Sequence, residues 1–419
     1  MPAKRAVHGS TGSPRTALAI EVDAAKGPHP LGMPPEKFLR DYWQKKPLLI
    51  RNAFPGFESP LQPEDLAGLA CEDGVLARIV AHDRKKDSWM LRHGPFPEEL
   101  FPTLPRHDWT LLVQDVDKWD MDVRALLERF DFLPRWRIDD VMVSFAAPGG
   151  SVGAHVDQYD VFLLQAQGRR RWQIDDRASS TGIAPPVHFR LDVELKLLQR
   201  FEPTHDWVLG PGDMLYLPPG VPHHGVAEDA CLTFSVGMRA PAAAELLGDF
   251  VDTLASEADE SLRFADPGLE PAKDASEIDA AAMERVVEAL NLLRMNDPAR
   301  LGEWFGRFIT TYRTALRPGG REEGGDGRSR IEIEWDLQQG AWLQRDPWTR
   351  MAWQRAGRGA RLFVSGESHA LPLADARRIA NGECLDGGDY AKLSITGRDL
   401  MQELLQAGHY ALEQPDNAA

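Results

Sequence analysis

Short apolar runs broken by glycine and proline fill the first 240 positions of this 419-residue chain. Pro47-Leu48-Leu49-Ile50, Trp109 to Val113, Asp140 to Phe145, Tyr159 to Gln165, Arg169 to Ile174, Trp207 to Leu209, Asp213 to Leu217 and Cys231 to Val236 each read as a strand. Pro148-Gly149-Gly150 closes one of them, and Pro218-Pro219-Gly220 makes a rigid turn between two others. Pro35 opens a helix with Phe38, Leu39, Tyr42 and Trp43 on one side. Many short strands with such punctuation predict a mainly β, double-sheet jelly roll over residues 31–241.

The period changes after Pro241. Leu246, Leu247, Phe250, Val251 and Leu254 share helical spacing. So do Met283, Val286, Val287, Leu290 and Leu293, behind a capping box expected from Ser276 to Asp279. Asp297-Pro298 supplies an N-cap and first residue for a third helix, with the stripe Leu301, Trp304, Phe305, Phe308 and Tyr312. This helical segment, 242–316, is too thin to close a core alone, so it packs on the barrel or on a second copy. Residues 317–328 form a Gly-rich, charged linker. A small α+β domain compatible with a winged helix follows over 329–419. Within it Ile331, Ile333 and Trp335 alternate with Glu332 and Glu334 as in a half-buried strand, and Leu373–Asn381 and Arg398–Ala407 read as helices.

Charge narrows the function classes. The formal net charge of −16 argues against general nucleic-acid binding and fits a basic partner. Cys71, Cys231 and Cys384 lie far apart with no CxxC, which excludes a disulfide framework and points to a reducing, cytoplasmic setting. No apolar run is long enough to span a bilayer. Residues 1–30 are rich in Ser, Pro, Gly and Ala, and Lys4, Arg5 and Arg15 precede the first acid, Glu21. That has the flavour of a transit peptide, but no amphipathic helix forms, so a disordered tail is expected.

The candidate chemistry lies in the strand region. His155 and Asp157 are two apart and project to one face if the segment is extended. The turn at Pro218-Pro219-Gly220 delivers His223 to the start of another strand. Two imidazoles and one carboxylate are the ligand set that holds non-haem Fe(II) and leaves positions open. His224 competes with His223, but adjacent strand residues face opposite ways, and His223 sits nearer the turn. In Arg169-Arg170-Arg171, Arg170 points into the barrel if its neighbours are solvated. A buried guanidinium with no acid nearby in sequence would suit the far carboxylate of a dicarboxylate cosubstrate. Ser144, on an otherwise apolar strand, could add a hydroxyl to the same anion.

Gly149 to Phe162, Gly168 to Trp172, Pro211 to His223 and Ser235 to Pro241 resemble the JmjC-type bacterial ribosomal oxygenases, a cupin-fold family. Tyr42 to Leu48 and Leu111 to Asp117 extend the likeness, most closely to the family's ribosomal protein arginine hydroxylases. The resemblance implies a JmjC barrel, a helical dimerisation region and a winged helix. It implies Fe(II) on His155, Asp157 and His223, with 2-oxoglutarate and O₂ as cosubstrates and Arg170 and Ser144 as anchors. The implied reaction hydroxylates an arginine β-carbon in large-subunit ribosomal protein sixteen. Thr233 departs from the family's asparagine and His224 from its common acid, and the N-terminal tail is longer.

Three rivals stay open on sequence. One is the same chemistry on another residue, as histidine hydroxylation or lysine demethylation. Another is a metabolite-sensing regulator whose winged helix binds DNA through Arg345, Arg350, Arg355, Arg358 and Arg361. The third is a metal-binding cupin without turnover. Asp160 is a candidate to hold a substrate guanidinium.

Overall fold

The computed structural model describes residues 19–415 apart from 26, 28, 178–186, 273, 294–296 and 312–325. Most of the expected tail, Tyr312 and most of the expected linker therefore lie outside the described residues. Twelve strands build the N-terminal half: β1 Glu21–Asp23, β2 Leu48–Arg51, β3 Ala77–Asp83, β4 Ser88–His93, β5 Trp109–Val113, β6 Ile138–Ala146, β7 Val161–Gln167, β8 Arg170–Ile174, β9 His205–Leu209, β10 Met214–Leu217, β11 His223–Ala227 and β12 Cys231–Met238. They form a nine-stranded sheet, β1-β2-β10-β7-β12-β6-β5-β3-β4, facing a three-stranded sheet, β11-β8-β9.

The apolar runs look continuous because both faces of the large sheet are covered. Phe162, Leu164, Met214, Tyr216, Leu232, Phe234, Val141 and Val143 pack outward against Phe38, Tyr42 and Phe130. The alternate residues Val161, Leu163, Leu215 and Leu217 pack inward against Trp172, Ile174 and Leu209 of the small sheet. That inner core closes one end of the barrel. Further along the same inward face, polar residues take over: Asp140 and Ser144 on β6, Thr233 and Ser235 on β12. They line a cleft of about 680 Å³ between the sheets.

Two expectations near the N-terminus change. Order begins before Leu31, because β1 pairs in parallel with β2, Glu21 opposite Leu49. The hairpin of β3 and β4 was not expected: β4 is mostly solvent-exposed, and its one apolar run, Trp89-Met90-Leu91, is short and flanked by polar residues.

Among the described residues the middle segment holds three helices. Ala243–Ser256 and Pro298–Thr310 follow their predicted stripes. Asp297 caps the latter, accepting from Ala299 and Arg300, with Pro298 in its first turn. Ala280–Asn291 is capped by Asp279 accepting from the Ala282 N–H, so the capping box expected at Ser276 is not the one used. None of its residues is buried.

The C-terminal unit contains β13 Trp342–Arg345, β14 Met351–Ala356, β15 Gly359–Val364, β16 Glu367–Leu371, β17 Cys384–Leu385 and β18 Tyr410–Glu413 around one core. The strand expected at 331–335 is instead a helix, Arg330–Gln338. Ser329 and Glu332 form a capping box there. Ile333 and Leu337 go inward while Ile331 and Trp335 stay exposed, which is helical spacing misread as alternation. Leu373–Asn381 and Ile395–Gln406 are the other main helices, and Gly408 follows the second at positive φ.

Candidate active site

Two loops meet at one end of the cleft. After the turn at Gly149, residues 151–160 run as loop rather than strand, and one isolated ladder pair ties them to the start of β11. His155 N–H donates to the His223 carbonyl at 3.0 Å, and His223 N–H returns the bond at 3.0 Å. The Gly220 N–H, in the Pro-Pro-Gly turn, donates to the Asp157 carbonyl at 2.8 Å. Backbone bonds thus clamp segments that are far apart in sequence. His155 and Asp157 share a side through that clamp, not through strand alternation.

One donor atom from each of His155, Asp157 and His223 lies within 4.8 Å of the other two. Nε2 of His223 is 3.6 Å from Asp157 Oδ2, and Nε2 of His155 is 3.9 Å from Oδ1. Each imidazole is oriented from behind. Nδ1 of His155 donates to the Gly153 carbonyl and Nδ1 of His223 to the Val221 carbonyl, both at 2.9 Å. Both Nε2 lone pairs therefore face the carboxylate, as metal-ligating imidazoles do. Burial holds His223 well below its ordinary pKa, with the neighbouring His155 adding to it, and burial raises that of Asp157. Such a group of one carboxylate and two neutral imidazoles can hold a divalent cation. His224 does not join it: its Nε2 bonds the Ser151 hydroxyl at 3.0 Å, and burial lowers its pKa to about 4.

Arg170 enters the barrel from β8 and is 3% exposed, while Arg169 and Arg171 pair outside with Asp229, Glu228 and Asp206. Its guanidinium makes only long contacts, 3.4 Å to the Ser144 hydroxyl and 3.5 Å to the Gly225 carbonyl, and Nε has no partner. Its carbon lies 5.0 Å over the Trp172 ring. A Cβ at Gly225 would fall 2.8 Å from Arg170 Nε and 2.7 Å from Trp172, so glycine there keeps the stack open. Burial lowers the Arg170 pKa, and no carboxylate offsets it. A buried cation in this state fits an anionic group entering the cleft. Thr233, opposite Ser144 in the register of β12 and β6, donates instead to Gln165 at 3.1 Å.

Asp160 is not a mouth residue. It is fully buried and accepts from Tyr216, Gln44 and Arg137 at 2.7, 2.9 and 3.1 Å. Among the carboxyls that do line the cleft is that of Asp140. Burial, then Asp115, Asp117 and Asp139, push its pKa up to about 8. Its inward parity with Ser144 was readable in the sequence, since 140, 142 and 144 share a strand face.

The JmjC domain family matches residues 125–246, and the ROXA-like winged helix family matches residues 293–411. The ribosomal protein uL16 3-hydroxylase of Escherichia coli K12 is 39% identical over 279 residues, covering 67% of this chain and 72% of that protein. This chain belongs to the JmjC-domain ribosomal oxygenases. A probable ribosomal oxygenase of Haemophilus influenzae is 44% identical over 214 residues, 51% of each chain. Among solved structures, E. coli YcfD superposes with a TM-score of 0.81 at 33% identity over 91% of this chain and 99% of its own. YcfD bound to cobalt and 2-oxoglutarate gives 0.77 at 32% over the same shares. The JmjC match agrees with the jelly roll read from the strand pattern, and the winged-helix match with the small α+β domain expected at the C-terminal end.

Among the described residues no helix is long and apolar enough to cross a membrane. Three of the five arginines invoked for DNA binding are engaged within the fold. Arg345 is buried, Arg350 pairs with Asp139 and Arg361 with Glu303.

Proposed function

We propose that this oxygenase hydroxylates an arginine β-carbon of ribosomal protein uL16, using Fe(II), O₂ and 2-oxoglutarate, in the cytoplasm. His155, Asp157 and His223 hold the iron. Arg170, helped by Ser144, holds the far carboxylate of 2-oxoglutarate. When bound, iron and cosubstrate supply the oxidising power, with 2-oxoglutarate leaving as succinate and CO₂ and one oxygen going to the substrate. The observation that carries this reading is the pairing of opposites in one cleft. A three-donor group sits at one end, and a buried guanidinium with no anion sits beside it.

The chain's own residues do the rest. The carbonyls of Gly153 and Val221 keep both Nε2 atoms aimed at one point. Trp172 and Gly225 shape a buried slot for the far carboxylate, where a charge-assisted pair is stronger than in water. Asp140 gives the mouth a carboxyl in a crowd of carboxylates, which a substrate guanidinium would satisfy. The three free cysteines suit a reducing compartment. A second copy of the chain covers the exposed stripe Leu247, Val251, Met283, Val287 and Leu290, giving a homodimer.

Intact masses of ribosomal proteins from cells with and without the gene provide the test. A gain of one oxygen on uL16, localised to arginine by fragmentation, is expected. A modified histidine, the loss of a methyl group from lysine, or no change at all would overturn it.

A further inference from the structure

The catalytic cleft and a second cavity of about 330 Å³ lie back to back, and Asp139 and Arg350 belong to the walls of both. The second cavity sits between the barrel and the C-terminal unit. That junction is rigidly pinned. Arg124 donates to Glu383 at 2.8 Å and to the Pro347 carbonyl at 3.2 Å, Arg135 donates to the Asn381 carbonyl at 2.9 Å, and Trp119 meets Trp348 edge-on. The pinned loop before β14 carries Arg350 to the barrel. There one nitrogen, Nη2, donates both to the Asp139 carbonyl at 2.9 Å and to its carboxylate at 2.6 Å. The arginine side chain is only 12% exposed.

Resting on the functional reading above, we infer that Arg350 is a positioning residue for substrate. The winged-helix unit thereby completes the substrate wall of the oxygenase domain. Binding carbonyl and carboxylate of one residue at once fixes the backbone of Asp139, and so the direction in which the next residue, Asp140, leaves the strand. The Asp117 carboxylate holds the Val141 N–H at 2.8 Å from the other side. The start of β6 is thus held at 139 by one domain and at 141 by the other, with the cleft carboxyl between them. The contacts of Arg350 with Asp139 act on the wall of the cleft and not on His155, Asp157, His223 or Arg170, so its effect falls on substrate capture and not on the oxidising centre.

The test uses the full-length, iron-loaded protein and a uL16 peptide containing the target arginine. Arg350→Met should raise KM, and the peptide Kd read by fluorescence anisotropy, about tenfold, with kcat within about twofold. Arg350→Lys should recover most of the loss, because it keeps a cation over the carboxylate. Asp139→Asn should weaken binding too, and Arg350→Met added to it should cost little more. Should Arg350→Met fold poorly, Arg350→Gln gives the same comparison. An unchanged KM, a fall in kcat alone, or fully additive effects with Asp139→Asn would overturn the inference. If wild-type protein modifies no ribosomal protein, the functional reading fails by itself. Arg350 is then judged by amide exchange over 138–141. Faster exchange in Arg350→Met upholds the pinning, and unchanged exchange refutes it.

Discussion

Among the described residues two arginines are buried, and they live opposite lives. Arg345, in the C-terminal core, donates to the carbonyls of Ile379, Ala380 and Gly382 at 2.6, 3.0 and 2.6 Å, with Tyr410 and Glu383 alongside. Burial opposes its charge, yet Tyr410 and Glu383 together keep its pKa above the ordinary value, and that of Glu383 falls to about 2. Arg170, in the barrel, has two contacts at the edge of hydrogen-bonding range, an unpartnered Nε and a lowered pKa. Depth of burial is the same; completeness of the shell is not. A cation whose protein partners are all present is a fastener. One held in a buried slot without them is waiting for a ligand, and folding carries the desolvation cost until that ligand arrives.

That contrast is broken most forcefully at Arg345. Arg345→Met strands three carbonyls and leaves Glu383 short of a partner, so unfolding free energy should drop by about 3–5 kcal/mol. Denaturant titration measures it. The same change in the surviving folded protein should leave 2-oxoglutarate affinity intact. Arg170→Met should do the reverse. Cosubstrate binding should weaken about a hundredfold, or about 2.7 kcal/mol, as expected for losing one side of a buried charge pair. The ligand-free variant should melt at the wild-type temperature or above it, because an uncompensated buried charge has gone. A marked loss of stability in ligand-free Arg170→Met would make it a fastener after all.

Asp140 sharpens the comparison from the anionic side. Its neighbours are Asp115, Asp117 and Lys118 beyond β5, Asp139 on its own strand and Tyr159 across the mouth. With a folded pKa of about 8 against an ordinary 3.8, the folded state holds a proton that the unfolded chain has lost. Its contribution to stability is present below 3.8 and is lost as pH rises through about 8. Asp140→Asn should flatten the stability profile of the ligand-free protein between those values. Substrate affinity should run the other way in wild type, tightening as pH rises through about 8, because the ionised carboxylate is the guanidinium's partner. The substitution should also raise the peptide KM about tenfold.

How much of this was legible beforehand follows from where each signal resides. His155, Asp157 and His223 were readable because a Gly-rich turn and a Pro-Pro-Gly turn flank them, though the clamp between loops is tertiary and left no local trace. Arg170 was readable from parity, since the charged neighbours on either side had to face water. Arg350 was not. Its position beside Asp139 depends on how two units dock, and in the sequence it looked like one more member of a basic run. The helix at 330–338 was misread because three apolar residues at alternate positions satisfy both periods over so short a window, and only the capping box at Ser329 and Glu332 separates them.

The smallest effect on turnover is expected where packing is least complete. The helix Ala280–Asn291 buries none of its residues, and Met283, Val287 and Leu290 are more than half exposed at 52%, 54% and 55%. Leu247, on the preceding helix Ala243–Ser256, is 56% exposed. Residues facing water on both sides of the fold transition contribute little to the stability of one copy, so Leu247→Asp with Val287→Asp should change the melting of a monomer by no more than about 0.5 kcal/mol. If a second copy covers the stripe, the same pair buries two carboxylates against apolar surface and should convert dimer to monomer at micromolar concentration. Light scattering reads the mass directly. A wild-type monomer at those concentrations, or a double variant that stays dimeric, would show that this stripe is not where two copies meet.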